Sequence, residues 1–198
     1  MQAIAESVIT FAFGAAGTGK THIAAVEAVQ AFEYDGYSKI ILIRPAREAA
    51  GESLGYLPGT LEQKLLPYLY PVLDSLSDYW MPGRIEQMQK DGQIEFWPVA
   101  YSRGRTYTDA FVIVDEAQNL TLDQMYLVLT RIGQNAKMVV NGDWQQCDLR
   151  ANEKSCRRLV ESLRDRPYIS HIEFDADDVV RHPVVAHVID AKKSLDDE

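Results

Sequence analysis

The chain has 198 residues, about the length of one α/β domain, and its 46% hydrophobic and 25% charged residues exclude a disordered or collagen-like protein. With 20 Lys and Arg against 29 Asp and Glu the net charge is −9, so any contact with nucleic acid is expected from a local basic patch. Cys147 and Cys156 are too few for a disulfide scaffold, and no stretch is apolar enough for a membrane span. We therefore expect a reduced, cytoplasmic protein without a membrane partner.

Short apolar runs alternate with segments of helical periodicity along the chain. The predicted strands are residues 8–13, 40–43, 94–99, 111–114 and 138–140. The predicted helices are residues 20–32, 121–132 and 155–165, with another beginning near Pro183. The run 111–114 is apolar at every position, which is typical of a strand covered on both faces. The pattern predicts a mainly parallel sheet with helices on both faces, in one domain of residues 1–198.

A long excursion, about residues 45–95, follows the second predicted strand. Apolar residues recur there at helical spacing: Leu61, Leu65, Leu69, Val72, Leu76 and Trp80. We predict an amphipathic helix that Pro67 and Pro71 kink or split in two. The acidic tail, about 194–198, is expected to fray.

A glycine-rich loop joins the first predicted strand to the first long helix. It has the pattern G-x-x-x-x-G-K-[ST] and consists of Gly14, Ala15, Ala16, Gly17, Thr18, Gly19, Lys20 and Thr21. Glycines let successive backbone N–H groups converge on phosphate oxygens, and the helix N-terminus adds its positive dipole end. Lys20 is then expected to reach the β- and γ-phosphates of a nucleotide and Thr21 to contact Mg²⁺. An ordinary glycine-rich turn is the alternative.

Two carboxylates follow the buried strand 111–114, where ligands bind in parallel sheets. Asp115 is expected to hold Mg²⁺, and Glu116 to orient and deprotonate a water that attacks the γ-phosphate. Acidic residues after a strand also cap helices and turns, which is the alternative reading.

A second polar cluster follows the strand 138–140. Gln146 is predicted to hydrogen-bond the attacking water or the phosphate, and Asp143 to tie this loop to the site; a simple Asn-Gly-Asp turn fits equally well. A cation beyond Lys20 is also expected for the transition state, with Arg181 as first candidate and Arg131 as second. Either arginine could instead be an ordinary surface residue.

Together these residues resemble the PhoH-like family, phosphate-starvation-inducible ATPases related to the first RecA-like domain of superfamily 1 helicases. The similarity runs from Ile9 to about Val188. Its further motifs are the blocks 44–46, 54–59, 103–106, 115–119, 129–133, 142–146 and 180–183. Family members carry an upstream glutamine that contacts adenine, and Gln2 does not occupy that position.

The resemblance implies a single RecA-like P-loop domain that binds ATP with Mg²⁺, hydrolyses it and couples this to single-stranded RNA. It also implies a homo-oligomer, such as a hexameric ring, in which Arg181 could act in a neighbouring site. Arg103 and Arg105, interleaved with Tyr101 and Tyr107, are the candidate RNA contacts. An ordinary edge strand would show the same alternation.

Three functions remain open from the sequence. An ATPase is favoured by Glu116, since a base beside the Mg²⁺ aspartate activates water. A small-molecule kinase would need a substrate pocket and an arginine-rich lid, and no clear lid is apparent. A non-catalytic nucleotide switch or scaffold would tolerate the loss of Glu116.

Overall fold

The computed structural model describes residues 1–45, 61–147, 155–175, 177–180 and 184, without the side chains of residues 61–68. The strands are β1 (Ile9–Gly14), β2 (Lys39–Ile43), β3 (Ile94–Trp97), β4 (Ala110–Val114), β5 (Ala136–Gly142) and β6 (Ile169–Phe174). The helices are α1 (Gln2–Glu6), α2 (Lys20–Tyr34), α3 (Leu61–Ser77), α4 (Pro82–Lys90), α5 (Leu122–Leu129) and α6 (Ser155–Ser162).

Within the described ranges, six strands form a single parallel sheet in the order β3-β2-β4-β5-β1-β6. The carboxyl ends of all these strands therefore lie at one edge, which we call the carboxyl edge. Strand β5 lies between β1, which leads into the glycine-rich loop, and β4, which leads into Asp115. This order places the segments that follow β4, β5 and β1 side by side at the carboxyl edge, and all three are polar.

Each face of the sheet carries its own apolar cluster. One face packs α2, α3 and α4 against residues such as Ile40, Leu42 and Ile113. The other packs α5 and α6 against residues such as Phe11 and Val140. Strand β4 contributes to both clusters, which explains why its sequence is apolar at every position. The predicted α/β architecture with helices on both faces is confirmed.

The structure corrects several boundaries. Strand β6 and the short helix α1 were not predicted. Strand β3 ends at Trp97 rather than at residue 99, because Pro98 lacks an N–H and a 3₁₀ turn, Val99–Ser102, follows. Helix α3 is continuous, so the predicted split in two is wrong.

Helix α5 is shorter than predicted and begins after Thr121, whose hydroxyl accepts a hydrogen bond from the Gln124 backbone as the capping box requires. In the part of the chain that is described, no helix is both long and apolar enough to cross a lipid bilayer. The predictions for Arg181, for the helix near Pro183 and for the acidic tail lie outside the described residues.

Candidate nucleotide site

The glycine-rich loop leaves β1 at the carboxyl edge and ends in the first turn of α2. Gly14 has φ 152°, and a Cβ there would lie 2.2 Å from the carbonyl oxygen of Phe174 in β6. Gly17 and Gly19 have φ of 84° and 78°, in the left-handed region that glycine adopts without strain. The predicted strand-loop-helix setting of a phosphate-binding loop is therefore present.

Lys20 folds back over this loop. Its ammonium donates hydrogen bonds to the carbonyl oxygens of Gly14 at 2.9 Å and Ala15 at 2.6 Å, and to the Thr18 hydroxyl at 3.2 Å. Thr18 is buried and itself donates to the Ala15 carbonyl at 3.0 Å. The Lys20 ammonium thus lies inside the loop, where it would meet a phosphate bound by the loop's N–H groups.

Thr21 and Asp115 meet between α2 and the end of β4. The Thr21 hydroxyl donates to Asp115 Oδ1 at 3.1 Å, although 94 residues separate them in the chain. The Arg44 guanidinium, at the end of β2, lies 3.4 Å from Asp115 Oδ2 and 3.3 Å from Glu116 Oε1. Two strand ends and one helix N-terminus therefore converge on this carboxylate pair.

The Asp115 side chain is 8% exposed. Burial raises the pKa of Asp115; the Arg44 charge opposes this, the Glu116 charge adds to it, and the Thr21 hydrogen bond opposes it further. The net pKa lies above the ordinary aspartate value, so the protein alone does not fully compensate this carboxylate. A bound cation would supply the missing compensation.

Glu116 holds a backbone conformation that non-glycine residues rarely adopt, with φ 53°. Its side chain accepts hydrogen bonds from Arg44 on Oε1 and, at 2.5 Å, from Gln118 Nε2 on Oε2. Such strained residues occur most often at functional sites. Both carboxylate oxygens are thus oriented by neighbours.

A chain of hydrogen bonds runs from Glu116 through the buried Gln118 to the loop after β5. Gln118 Oε1 accepts from the Asp143 backbone N–H at 3.0 Å, and Asp143 Oδ2 accepts from Gln146 Nε2 at 2.9 Å. The structure therefore brings Asp143 and Gln146 to the carboxylate pair, through a residue that the sequence reading did not assign to the site. Asp143 also accepts from the Gln145 backbone at 2.9 Å, the turn contact expected under the alternative reading.

The two candidate arginines are placed differently. Arg131 follows α5, where its carbonyl accepts the Tyr107 N–H and its side chain contacts Thr130. This position is at the amino ends of the strands, opposite the glycine-rich loop, and Arg131 is not brought to the site. Arg181 is outside the described residues, but Val180, which precedes it, donates its N–H to the Gly17 carbonyl at 3.0 Å.

Of the four residues predicted to contact RNA, the structure exposes three and buries one. Arg103 and Tyr101 are exposed. Arg105 is also exposed, and its guanidinium stacks on the Trp97 ring at 3.8 Å. Tyr107 is fully buried and donates to Ser102, and burial raises its pKa to about 12, so it offers no ring for base stacking. The segment is a 3₁₀ turn and a loop, which also corrects the edge-strand alternative.

Arg44 and Gln118 belong to the site and were missed as functional residues. Both had a signal in the sequence, since Arg44 directly follows a predicted strand and Gln118 lies two residues after Glu116. Gln2, by contrast, is exposed in α1 and hydrogen-bonds Glu6 at 2.9 Å.

Curated proteins of similar sequence align with almost the whole of this chain. The PhoH-like proteins of Synechocystis sp. and Bacillus subtilis are 47% and 49% identical over 192 and 190 residues, which are 96% of this chain and 58% and 59% of theirs. Protein PhoH of Escherichia coli is 37% identical over 200 residues, 96% of this chain and 54% of that protein. The chain therefore spans just over half the length of these curated relatives.

Among solved structures, the large terminase from the thermophilic bacteriophage D6E superposes with a TM-score of 0.59 at 12% identity, over 94% of this chain and 45% of that chain. At this identity the match supports the fold alone. A family model described as PhoH-like protein matches residues 1–193. Nearly the whole chain is thus covered, and the protein belongs to the PhoH-like family.

Proposed function

We propose that residues 1–198 form one domain that hydrolyses ATP with Mg²⁺. The observation that carries the proposal is the 3.1 Å contact between the Thr21 hydroxyl and Asp115, with Glu116 next to it and Lys20 in the adjoining loop. Family membership and fold support a nucleotide-binding ATPase. A glycine-rich loop, a hydroxyl and a carboxylate pair at one sheet edge are the parts that phosphoryl transfer to water requires.

The glycine-rich loop, residues 14–21, would bind the phosphates. When a nucleotide enters, Lys20 exchanges its contacts with the Gly14 and Ala15 carbonyls for phosphate oxygens. The positive end of α2 favours the same charge. Binding energy is thus concentrated on the part of the nucleotide that reacts.

The donor set fits Mg²⁺. A threonine hydroxyl and an incompletely compensated aspartate are hard oxygen ligands, and this ion characteristically takes one or two protein ligands and completes its shell with phosphate and water. Bound between Thr21 and Asp115, the ion would neutralise charge on the phosphates. Arg44 already reaches both carboxylates, so it would keep Glu116 in place when the charge of Asp115 is shared with the ion.

Glu116 would orient and deprotonate the attacking water. Arg44 and Gln118 hold its two oxygens, and Gln118 links it to the loop containing Asp143 and Gln146. Gln146 is exposed and close to this chain of hydrogen bonds, which supports the role of contacting the water or the γ-phosphate. A nucleotide switch without hydrolysis would not need this arrangement around Glu116.

We also propose that hydrolysis is coupled to single-stranded RNA in a homo-oligomer, in the cytoplasm. The exposed Arg103 and Arg105 support the RNA contact, and the two free cysteines fit a reducing compartment. The contact between Val180 and the glycine-rich loop supports a role for Arg181 at a nucleotide site. If Arg181 acts in a neighbouring subunit, mixing Arg181→Ala with Lys20→Ala chains will restore part of the turnover.

Phosphate release from ATP with Mg²⁺ tests the proposal, comparing the parent with Lys20→Ala and with Lys90→Ala, an exposed lysine at the end of α4. We expect turnover in the parent and in Lys90→Ala, its loss in Lys20→Ala, and stimulation by single-stranded RNA. If RNA did not change the turnover, the proposed coupling of hydrolysis to RNA would be wrong. Tight ATP binding without turnover would favour the switch, and phosphate transfer to a small molecule would favour the kinase.

A further inference from the structure

Asn141, near the end of β5, is a buried side chain with no explained role. It is 1% exposed, and among the described residues neither its Oδ1 nor its Nδ2 has a hydrogen-bond partner. Leaving both ends of a buried amide unpaired is costly, and native structures seldom do so without a bound water, an ion or a functional reason.

The strand register shows where Asn141 lies. It pairs with Ala12 of β1, and Val140 pairs with Val114 of β4, so the next residue along, Asp115, is opposite Asn141. Neighbouring strands are about 4.8 Å apart. The row Ala12, Asn141, Asp115 therefore crosses the sheet at the base of the proposed nucleotide site.

The alternation of side chains shows which face Asn141 occupies. Val140 belongs to the cluster beneath α5 and α6, whereas Val139 belongs to the cluster beneath α2. Side chains alternate along a strand, so Asn141 shares the α2 face with Val139. Thr21, in the first turn of α2, contacts Asp115 on this same face.

We infer that Asn141 is a positioning residue for the cation end of the nucleotide site: its amide binds water that links it to Asp115 and to the hydration shell of the divalent cation. The inference rests on the proposed function. The Nδ2 group donates to the water that bridges to the Asp115 carboxylate, and Oδ1 accepts from a water of the cation's hydration shell.

The test measures the affinity for fluorescently labelled ADP in Mg²⁺ and in EDTA, together with the melting temperature of the nucleotide-free protein. The variant is Asn141→Leu, which has the same number and branching of side-chain heavy atoms and no polar atoms. We expect the gain in affinity from Mg²⁺ to fall about tenfold, as for other residues that act through metal-bound groups. The affinity in EDTA should stay within about twofold, and the melting temperature should rise by about 3 °C.

Two further variants control the test. Asn141→Thr introduces a hydroxyl that can bind the same water, in a side chain that suits a strand, and should retain the Mg²⁺ gain within about threefold. Thr10→Val removes a buried hydroxyl from β1 that hydrogen-bonds Ala3, far from the loop, and should leave the Mg²⁺ gain unchanged.

A Mg²⁺ gain in Asn141→Leu equal to that of the parent would overturn this inference and leave the proposed function intact. An equal loss of affinity in Mg²⁺ and in EDTA, with a lower melting temperature, would assign Asn141 a structural role. If the parent itself gained nothing from Mg²⁺, the proposed function would fail as well.

Discussion

The surroundings of two carboxylates, Glu95 in β3 and Asp115 directly after β4, shift their pKa values in opposite directions. Glu95, in β3, accepts the Lys39 ammonium at 2.5 Å and the Trp97 indole N–H at 2.8 Å. Burial alone would raise the pKa of Glu95, but these hydrogen bonds and the charges of Lys39 and Arg105 outweigh it and leave the pKa below its ordinary value.

Asp115 is more deeply buried and less well compensated. Its contacts with Arg44 at 3.4 Å and Thr21 at 3.1 Å are longer, Glu116 lies beside it, and its pKa is raised. The contacts within the protein thus outweigh the effect of burial on the pKa of Glu95 but not on the pKa of Asp115. This difference is the one expected between a structural ion pair and the cation site that we propose at Asp115.

The largest predicted effect is on turnover, which should depend on the carboxylates after β4 and not on Glu95 in β3. Glu116→Gln removes the proposed base and should lower turnover about a thousandfold while nucleotide binding persists. Glu95→Gln removes a carboxylate of the same kind from the other region and should leave turnover without RNA within about twofold. Steady-state phosphate release measures both, and similar rates in the two variants would cancel the distinction.

The second prediction concerns stability: the packing next to the loop after β5 should not tolerate an added methyl group. A Cβ on Gly142 would lie 2.3 Å from the Phe13 ring, which stacks on Trp144 at 4.2 Å, so Gly142→Ala should destabilise the fold by about 2 kcal/mol. Gly83, in α4, has no atom within 4 Å of its Cβ position, and Gly83→Ala should be neutral or stabilising. Urea denaturation compares them; equal stabilities would show that the ring yields readily.

A smaller loss of turnover is expected when Glu116 is kept and Gln118, which donates a hydrogen bond to it, is replaced. Gln118→Leu frees one Glu116 oxygen and leaves the Asp143 N–H unpaired, so turnover should fall about tenfold with affinity for Mg²⁺-ADP retained. Gln124→Ala removes a glutamine that caps α5 and should cost stability alone. Parental turnover in Gln118→Leu would show that Arg44 positions Glu116 without help.

The smallest predicted effects are changes of opposite sign in the free energy of unfolding, for Asp115→Asn and Glu95→Gln. Since the pKa of Asp115 is raised in the folded protein, its ionisation costs stability above the unfolded pKa, so Asp115→Asn should stabilise the nucleotide-free protein by about 1 kcal/mol at pH 7.5. That gain should vanish as the pH falls toward about 4. Glu95, with a lowered pKa, contributes stability above its unfolded pKa.

Glu95→Gln should therefore destabilise the protein by about 1 kcal/mol at pH 7.5, and this loss should also shrink as the pH falls through the Glu95 pKa. Denaturation curves at several pH values measure both variants. Changes of the same sign would contradict the difference drawn between the two carboxylates.

The sequence predicted the parts of the fold that local patterns determine. The apolar run of β4 and the glycine spacing of the loop led to the correct elements, because burial on both faces and phosphate binding restrict composition strongly. Strand β6 was missed because its side chains are half-buried at the sheet edge and alternate only weakly, as in Ser170 and His171. Helix α3 continues past Pro71, whose exposed ring lacks an N–H and so costs the helix one hydrogen bond without ending it.

The missed site residues depend on tertiary contacts. Arg44 contacts Asp115, and Asn141 lies opposite it, because β2 and β5 flank β4, and strand order is not written in any local pattern. Arg131 is the opposite case. The sequence pattern proposed it for the site, but it follows α5 at the amino ends of the strands, away from Asp115.

The most direct test of the account is to identify the nucleotide bound to Glu116→Gln after incubation with ATP and Mg²⁺. We expect rapid separation and chromatography to recover intact ATP from Glu116→Gln, ADP from the parent, and no stably bound nucleotide from Lys20→Ala. Recovery of ADP from Glu116→Gln at the parental rate would contradict it, because hydrolysis would then proceed without the carboxylate that the site is built to orient.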